Sequence, residues 1–426
     1  MTNSEIIALV KREVVPAIGC TEPMAVALCV AYAREALGQM PERIEVMLSA
    51  NILKNAMGVG IPGTGMVGLP IAVALGALIG RSEYSLEVLR DCNAEAVEQG
   101  KAYIDTGAID IKLKDGITEK LYIEARCKAG GREACAIIAR EHTHLVYLAN
   151  PDGVQLDERA TLTAEAEGEA EEELTLRRVF DFATQAPLED ITFINEARRL
   201  NEHASREALK GNYGHALGKT LSRPIGRGIM GESIFSHILS ATSSACDARM
   251  AGAMIPVMSN SGSGNQGIAA TMPVVVFAEE NHNTEEELTR ALMLSHLTAI
   301  YIKQSLGRLS ALCGCVVAST GSSCGITYLM GGGYDQVAYS VKNMIANLAG
   351  MVCDGAKPSC ALKVSSGVST AVLSAMLAVQ GKYVTNVEGL IEDDVDRCIH
   401  NLTRVGRQGM NETDRLVLDI MTHKQC

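Results

Sequence analysis

The hydrophobic pattern changes period along the chain. Residues 4–36 place apolar side chains at a spacing near 3.6, interrupted around Pro16, Gly19, Cys20 and Pro23 and resumed in AVALCVAYAREAL, which predicts a helix broken by a turn. RIEVMLSANI, residues 43–52, alternates and predicts a strand. KNAMGVGIPGTGMVGLP follows as a Gly/Pro-rich loop and leads into MVGLPIAVALGALIG, residues 66–80, which reads as a buried helix. Residues 84–105 also read as helical, and the runs AIDIKLK, KLYIEARC, EACAIIAR and THLVYLA then predict short strands. Beyond the acidic run AEAEGEAEEEL at 164–174 the pattern is helical almost throughout, with Gly-rich breaks at 226–231, 260–267 and 331–333. The expected fold class is α+β, with a smaller α/β subdomain over 41–160, an acidic linker over 161–175 and a large helical portion over 176–426.

Composition narrows the function classes. The 426 residues are 47% hydrophobic with no Trp and 5 Phe, so the core is aliphatic. A net charge of -12 argues against nucleic acid as a partner, because phosphate neutralisation needs clustered Lys and Arg. The N-terminus has acidic residues and no long apolar run, and residues 66–80 are short for a membrane span and contain Pro70. A cytoplasmic protein with no membrane partner is expected, in which the 13 cysteines stay mostly reduced.

Four of those cysteines have unusual local settings. Cys20 lies on a Gly/Pro turn in AIGCTEP, Cys313 in the apolar run RLSALCGC, and Cys353 and Cys360 flank the turn DGAKPS. A thiol at a turn can project into a site, whereas a thiol inside a helix usually packs. Cys29, Cys92, Cys127, Cys135, Cys246 and Cys398 have ordinary settings, and Cys315 and Cys324 are ambiguous neighbours of Cys313. The spacing fits neither the CxxC pairs of zinc modules nor a ferredoxin run. From spacing alone both inert packing and metal ligation remain open.

Three other stretches carry polar candidates. SNSGSGNQG, residues 259–267, lets backbone N–H groups approach an anion, with Ser259, Ser261, Gly262 and Asn265 as contacts and a helix beginning after it. NILKNAMGVGIPGTG offers Asn51, Asn55 and Thr64 around tight glycine turns. Either could equally be a plain loop. REHTHLVYL places His142 and His144 on alternate positions, which on a strand would share a face suited to metal or acid–base work. Asp247 and Arg249 in SACDARMAGA read as a structural ion pair.

Together EVVPAIGCTEP, SANILKNAMGVGIPGTGMVGLPIAVALGAL, DARMAGAMIPVMSNSGSGNQGIAATMPVVV, LSHLTAIYIKQSLGRLSALC and GMVCDGAKPSCALKVS resemble the L-cysteine desulfidase family. That family is related to the iron–sulfur L-serine dehydratases. The matching segments span residues 13–366 in order. The resemblance implies an oxygen-sensitive [4Fe–4S] cluster held by Cys313, Cys353 and Cys360, with Cys20 at the active centre. It implies a small amino acid as substrate and α,β-elimination of L-cysteine to pyruvate, ammonia and sulfide. Cys20 is the candidate base and His142 the runner-up. Substrate contacts are expected from Asn51, Asn55, Thr64, Ser259, Ser261, Gly262 and Asn265. The helical portion would then be catalytic, with the helices of residues 1–40 packed on it so that Cys20 reaches the cluster. A homo-oligomer is expected. The alternatives are L-serine dehydration at the same site, a pyridoxal-phosphate lyase using Lys363 or Lys54, an iron–sulfur sensor, and a scaffold with inert thiols.

Overall fold

The computed structural model describes residues 1–117, 119–160, 174–307 and 310–424. All but the last two residues of the expected 161–175 linker lie outside the described residues. Two cores organise the rest, one around a sheet and one among helices.

The sheet runs β3-β2-β4-β5-β6-β7, with β2 Arg43–Leu48, β3 Ile109–Leu113, β4 Tyr122–Ala129, β5 Arg132–Ala139, β6 Leu145–Asn150 and β7 Gly153–Asp157. Only β2 and β3 pair in parallel; the other neighbours are antiparallel. Period-2 alternation separates its faces. Ile44, Val46, Ile123, Ala125 and Cys127 face a helical layer. Glu124 points the other way, where it takes hydrogen bonds from Lys114 at 2.8 Å and Tyr122 at 2.7 Å. The layer consists of α2 (Thr21–Leu37) against the strands and α4 (Leu69–Leu78) against α2. α2 is buried from Pro23 to Ala31, and a helix apolar all round needs cover on every side.

Several expectations change here. The predicted strand at 43–52 ends at Leu48, and Ser49 begins α3 (Ala50–Ala56), so Asn51 and Asn55 lie on a helix. Residues 84–105 are a short 3₁₀ turn over Ser82–Glu87 followed by α5 (Ala94–Asp105), which Asn93 caps. The two N-terminal helices part company. Ile6, Leu9 and Val10 of α1 (Asn3–Glu13) enter the helical core, whereas α2, expected to pack there too, covers the sheet. Cys20, at the start of α2, still belongs to the helical core. A two-residue pairing of β1 (Pro16–Ala17) with β8 (Val257–Met258) fixes this crossing point.

The helical core is built from α6 (Leu176–Gln185), α7 (Asn195–Lys210), α8 (Ile234–Met250), α9 (Gly264–Glu280), α10 (Glu285–Leu306), α11 (Gly314–Leu329), α12 (Tyr334–Leu348) and α13 (Cys360–Val379), with α14 (Val395–Arg404) closing it and α15 (Asn411–Thr422) set against α3. α13 is the one helix among the described residues long and apolar enough to cross a membrane, and half of that apolar stretch is buried here. α11 is central, packed against α9, α10, α12 and α13. It approaches α10 so closely that a Cβ on Gly321 would lie 2.2 Å from the Ser295 carbonyl oxygen. Gly321→Ala therefore forces the two backbones apart, at a typical overpacking cost of about 1–3 kcal/mol. Urea unfolding should show a lowered midpoint; an unchanged one would mean that α10 and α11 separate freely.

Candidate functional site

Four helices begin around one cavity. Cys20 is the N-cap of α2, Ser263 of α9 and Cys313 of α11, while Cys360 is the first residue of α13. The cavity has a volume of about 130 Å³ and is lined by Cys20, Cys313, Cys353 and Cys360, with Asn55, Gly262 and Asn265. Cys313 is thus a terminal residue of its helix, not an interior one as the apolar run suggested. Helix N-termini carry a partial positive charge and orphan N–H donors, which favour anions and thiolates.

A short backbone tie places two of the thiols. Leu312 and Val352 form an antiparallel bridge, flanked by Cys313 N–H donating to the Met351 carbonyl at 2.9 Å and Cys353 N–H donating to the Ala311 carbonyl at 2.6 Å. The turn to Cys360 passes through Gly355 at φ +89°, where a Cβ would lie 2.1 Å from the Lys54 carbonyl oxygen. Only glycine fits that combination of backbone angle and close approach. Lys54, buried, pairs with Asp414 of α15 and donates to the Cys353 carbonyl at 3.4 Å. Lys363 pairs with Asp354 and donates to the Val352 carbonyl at 2.8 Å. The two lysines considered for a Schiff base are therefore both ion-paired supports of the thiol loop.

The thiols are held protonated by their surroundings. Cys353 donates to Cys313, and that hydrogen bond together with burial pushes its thiol well up. Cys313 is pushed up by its hydrogen bond to Cys315, and Cys360 by burial. Cys315 borders the cavity too, donating to the Lys363 carbonyl at 3.4 Å, while Cys324 is wholly buried beside Ser340. Burial lowers the Lys303 ammonium at the cavity wall to about 8, partly offset by the neighbouring Cys353 and Cys313. Burial and the Glu22 carboxylate push up Cys20, which donates to Glu22 Oε2 at 2.8 Å. A lowered thiol pKa, the basis for reading Cys20 as a base, is not what this environment produces.

Among the described residues no three His, Cys, Asp or Glu side chains are placed to hold a single metal ion. A cluster instead takes one thiolate per liganded iron, so its donors stand apart from one another. Cys313, Cys353 and Cys360 on one cavity wall fit such a group by donor chemistry. Lys303, Lys363 and Arg249 around them would balance thiolate charge.

The other predicted contacts divide. Thr64 is used by its own turn, donating to the Ile61 carbonyl at 2.8 Å and accepting from Met66 N–H at 3.0 Å. Ser259 donates to the Val15 carbonyl at 2.6 Å and is buried. Neither Thr64, Ser259 nor Asn51 lines the cavity, although Asn51 Oδ1 is buried without a hydrogen bond. Ser261 and His142 line an adjoining cavity that shares Glu22, Gly262, Ser263 and Gln266 with the first. His142 lies 3.5 Å from Thr21 Oγ1, in the turn between β5 and β6, and His144 approaches Glu158 at 3.7 Å. The shared strand face expected for the two histidines does not form, because neither residue is in a strand.

Glu22, Ser263, Gln266 and Lys303 are among the cavity residues to which the sequence gave no role, and Arg249 lines the cavity although the sequence suggested a structural ion pair. Arg249 does not pair with Asp247: residues two apart on a helix do not face each other, a spacing already visible in the sequence. Asp247 instead accepts from Gly218 N–H at 3.0 Å, and burial raises its carboxyl to about 6.

A buried polar network holds the 259–267 loop. Asn260 donates to His296 Nδ1 at 3.1 Å, His296 Nε2 lies 2.9 Å from Thr271 Oγ1, and Thr271 donates to the Gly267 carbonyl at 2.7 Å. Burial lowers His296 to about 3, so it is neutral in this network. The folded state then binds fewer protons at His296 than the unfolded state between that value and about 6.5. Its contribution is complete above the upper limit and is lost as pH falls. Between neutrality and pH about 5 it removes about 2 kcal/mol. His296→Gln should show a shallower acid-side fall in urea-unfolding free energy than the parent; parallel profiles would place the proton elsewhere.

Comparison with known proteins gives the family of the chain. The family model for the serine dehydratase alpha chain matches residues 83–419. A UPF0597 protein of Bacteroides fragilis is 70% identical, with 100% of both chains covered. A UPF0597 protein of Bacteroides thetaiotaomicron is also 70% identical over 99% of this chain and 98% of its own. At greater distance, a UPF0597 protein of Oleidesulfovibrio alaskensis is 48% identical with 99% and 98% covered. With the match spanning most of the chain, from the sheet subdomain through the thiol cavity, the protein belongs to the serine dehydratase alpha chain family.

Proposed function

We propose that this serine dehydratase-family lyase is an iron–sulfur-dependent L-cysteine desulfidase, converting L-cysteine and water to pyruvate, ammonia and hydrogen sulfide. The supporting observation is the convergence of three cysteine thiols and four helix N-termini on one small cavity. Cys313, Cys353 and Cys360 would hold a [4Fe–4S] cluster. When bound, the cluster supplies a Lewis-acidic iron that polarises the leaving group.

The chain's own residues supply the rest. The entry to α9, through Gly262, the N-cap Ser263 and Asn265 of the first turn, presents donors to the substrate. Asn55, across the cavity on α3, offers a further neutral contact. Cys20 and Glu22 form the acid–base couple, with the proton resting on sulfur and the carboxylate accepting the hydrogen bond. With burial and Glu22 holding the proton on sulfur, the Glu22 carboxylate is the group placed to take the Cα proton, and the Cys20 thiol orients it through their hydrogen bond. A placed base of this kind contributes roughly 10²–10⁴-fold. Loss of the Cα proton and the β-sulfur gives 2-aminoacrylate, which hydrolyses to pyruvate and ammonia. His142, in the adjoining cavity beside Thr21 and Glu22, is the second candidate for proton transfer.

The family match favours one further reading, L-serine dehydration with hydroxide as the leaving group. The pyridoxal alternative is disfavoured by the ion-paired states of Lys54 and Lys363. Anaerobic purification should yield about four irons per chain with matching acid-labile sulfide. Added L-cysteine should then release sulfide and pyruvate together. Cys353→Ala should lose both iron and turnover, and a full cluster in that variant would overturn the ligand assignment. Pyruvate from L-serine alone would replace desulfidation with dehydration.

A further inference from the structure

Arg249 is a buried cation without an anion. It is 4% exposed on α8 and lines the thiol cavity. Its Nη1 donates to Asn265 Oδ1 at 3.1 Å, and its Nε is buried with no hydrogen-bond partner. It forms no ion pair with any described residue. An unpaired buried charge is costly, so proteins keep one where a partner arrives from outside. The chain also makes room for it: a Cβ on Gly264 would lie 2.2 Å from Arg249 Nε. Gly264 is the first residue of α9, so the guanidinium lies against that helix's N-terminus. Gln266, one turn in, also borders the cavity.

We infer that Arg249 and the first turn of α9 form the carboxylate-binding subsite of this enzyme, anchoring the α-carboxylate of an amino-acid substrate opposite the cluster thiols. The assignment rests on the reading of the cavity as an amino-acid lyase site, and it adds to the anion-binding loop a residue, Arg249, that the sequence motifs read only as a structural partner of Asp247 and that the family match does not assign. A guanidinium binds a carboxylate through a planar two-pronged fork, and a helix N-terminus adds N–H donors and a favourable dipole. Asn265 orients the fork by occupying Nη1. The anchor would fix the direction in which Cα and the β-substituent point, and so distinguishes a 2-amino acid from a simple aminothiol.

Two probes separate the carboxylate from the rest of the substrate. 3-Mercaptopropionate keeps the carboxylate and thiol without the amine; cysteamine keeps the thiol and amine without the carboxylate. Their binding to the anaerobically purified holoenzyme is measured by calorimetry for the parent, Arg249→Gln and Arg249→Lys. The parent should bind 3-mercaptopropionate, and Arg249→Gln should weaken it roughly tenfold or more, the loss expected for a hydrogen bond between charged groups. Cysteamine binding should be unchanged, which also reports an intact fold. Arg249→Lys keeps the charge without the fork and should fall between the two. The KM of whichever amino acid turns over should rise more than its kcat falls. Equal weakening of both probes, an unchanged 3-mercaptopropionate affinity in Arg249→Gln, or no binding of it by the parent would overturn the assignment. Discrimination between the probes without sulfide release from L-cysteine would keep the carboxylate subsite and reject desulfidation.

Discussion

The backbone tie between residues 311–313 and 351–353 is the constraint on which the site depends. Cys313 and Cys353 are distant in sequence and lie on segments that lead away from each other into α11 and out of α12. Two main-chain hydrogen bonds on either side of the Leu312–Val352 bridge bring them together. Buried backbone groups must be paired, so this contact also satisfies chain that leaves one helix and has not entered the next. The thiol loop is then clamped from below by Lys54 and Asp414 and from the side by Lys363 and Asp354. A buried charge such as Lys54, paired in this way, contributes little net stability but strongly disfavours a structure that separates the pair. The arrangement specifies a position more than it adds strength.

Electrostatics at the cavity run against the protein's overall balance. The chain carries a net charge of -12, yet Lys303, Lys363, Arg249 and four helix N-termini surround the thiols. Local potential in a buried site is set by near charges and dipoles, because effective screening there is weak. The hydrogen bond to Cys313 and burial push Cys353 well up, and burial lowers Lys303 to about 8. A metal that deprotonates coordinating thiols would reverse that condition and give Lys303 thiolate neighbours.

The Gly-rich segments show how one composition can serve two ends. In the 259–267 loop, Ser259 and Asn260 are consumed by Val15 and His296, and that anchoring leaves Gly262, Ser263 and Asn265 at the cavity. In the 58–68 loop, Thr64 closes its own turn and lines no part of the cavity. Sequence cannot separate these fates, since a hydroxyl that caps a turn and one that meets a ligand have the same neighbours along the chain. The division is made by which backbone carbonyl happens to lie within reach.

Local periodicity was enough to read β3, β4, β5 and β6, though not β7, together with the buried helix near residues 66–80 and the helical character of the second half. Those patterns report how each segment is covered, a property carried by neighbouring residues. The motifs around Cys20, Cys313, Cys353 and Cys360 were legible as a group, and the cavity brings all four together. What tertiary structure alone decided was orientation. It set α2 on the sheet and not on the helices, made Cys313 a helix terminus, moved His142 into an adjoining cavity, and brought Arg249 to the thiol cavity. Each of these depends on contacts between segments far apart in sequence, and such contacts are fixed by packing and by the pairing of buried polar groups, not by the order of residues in any one stretch.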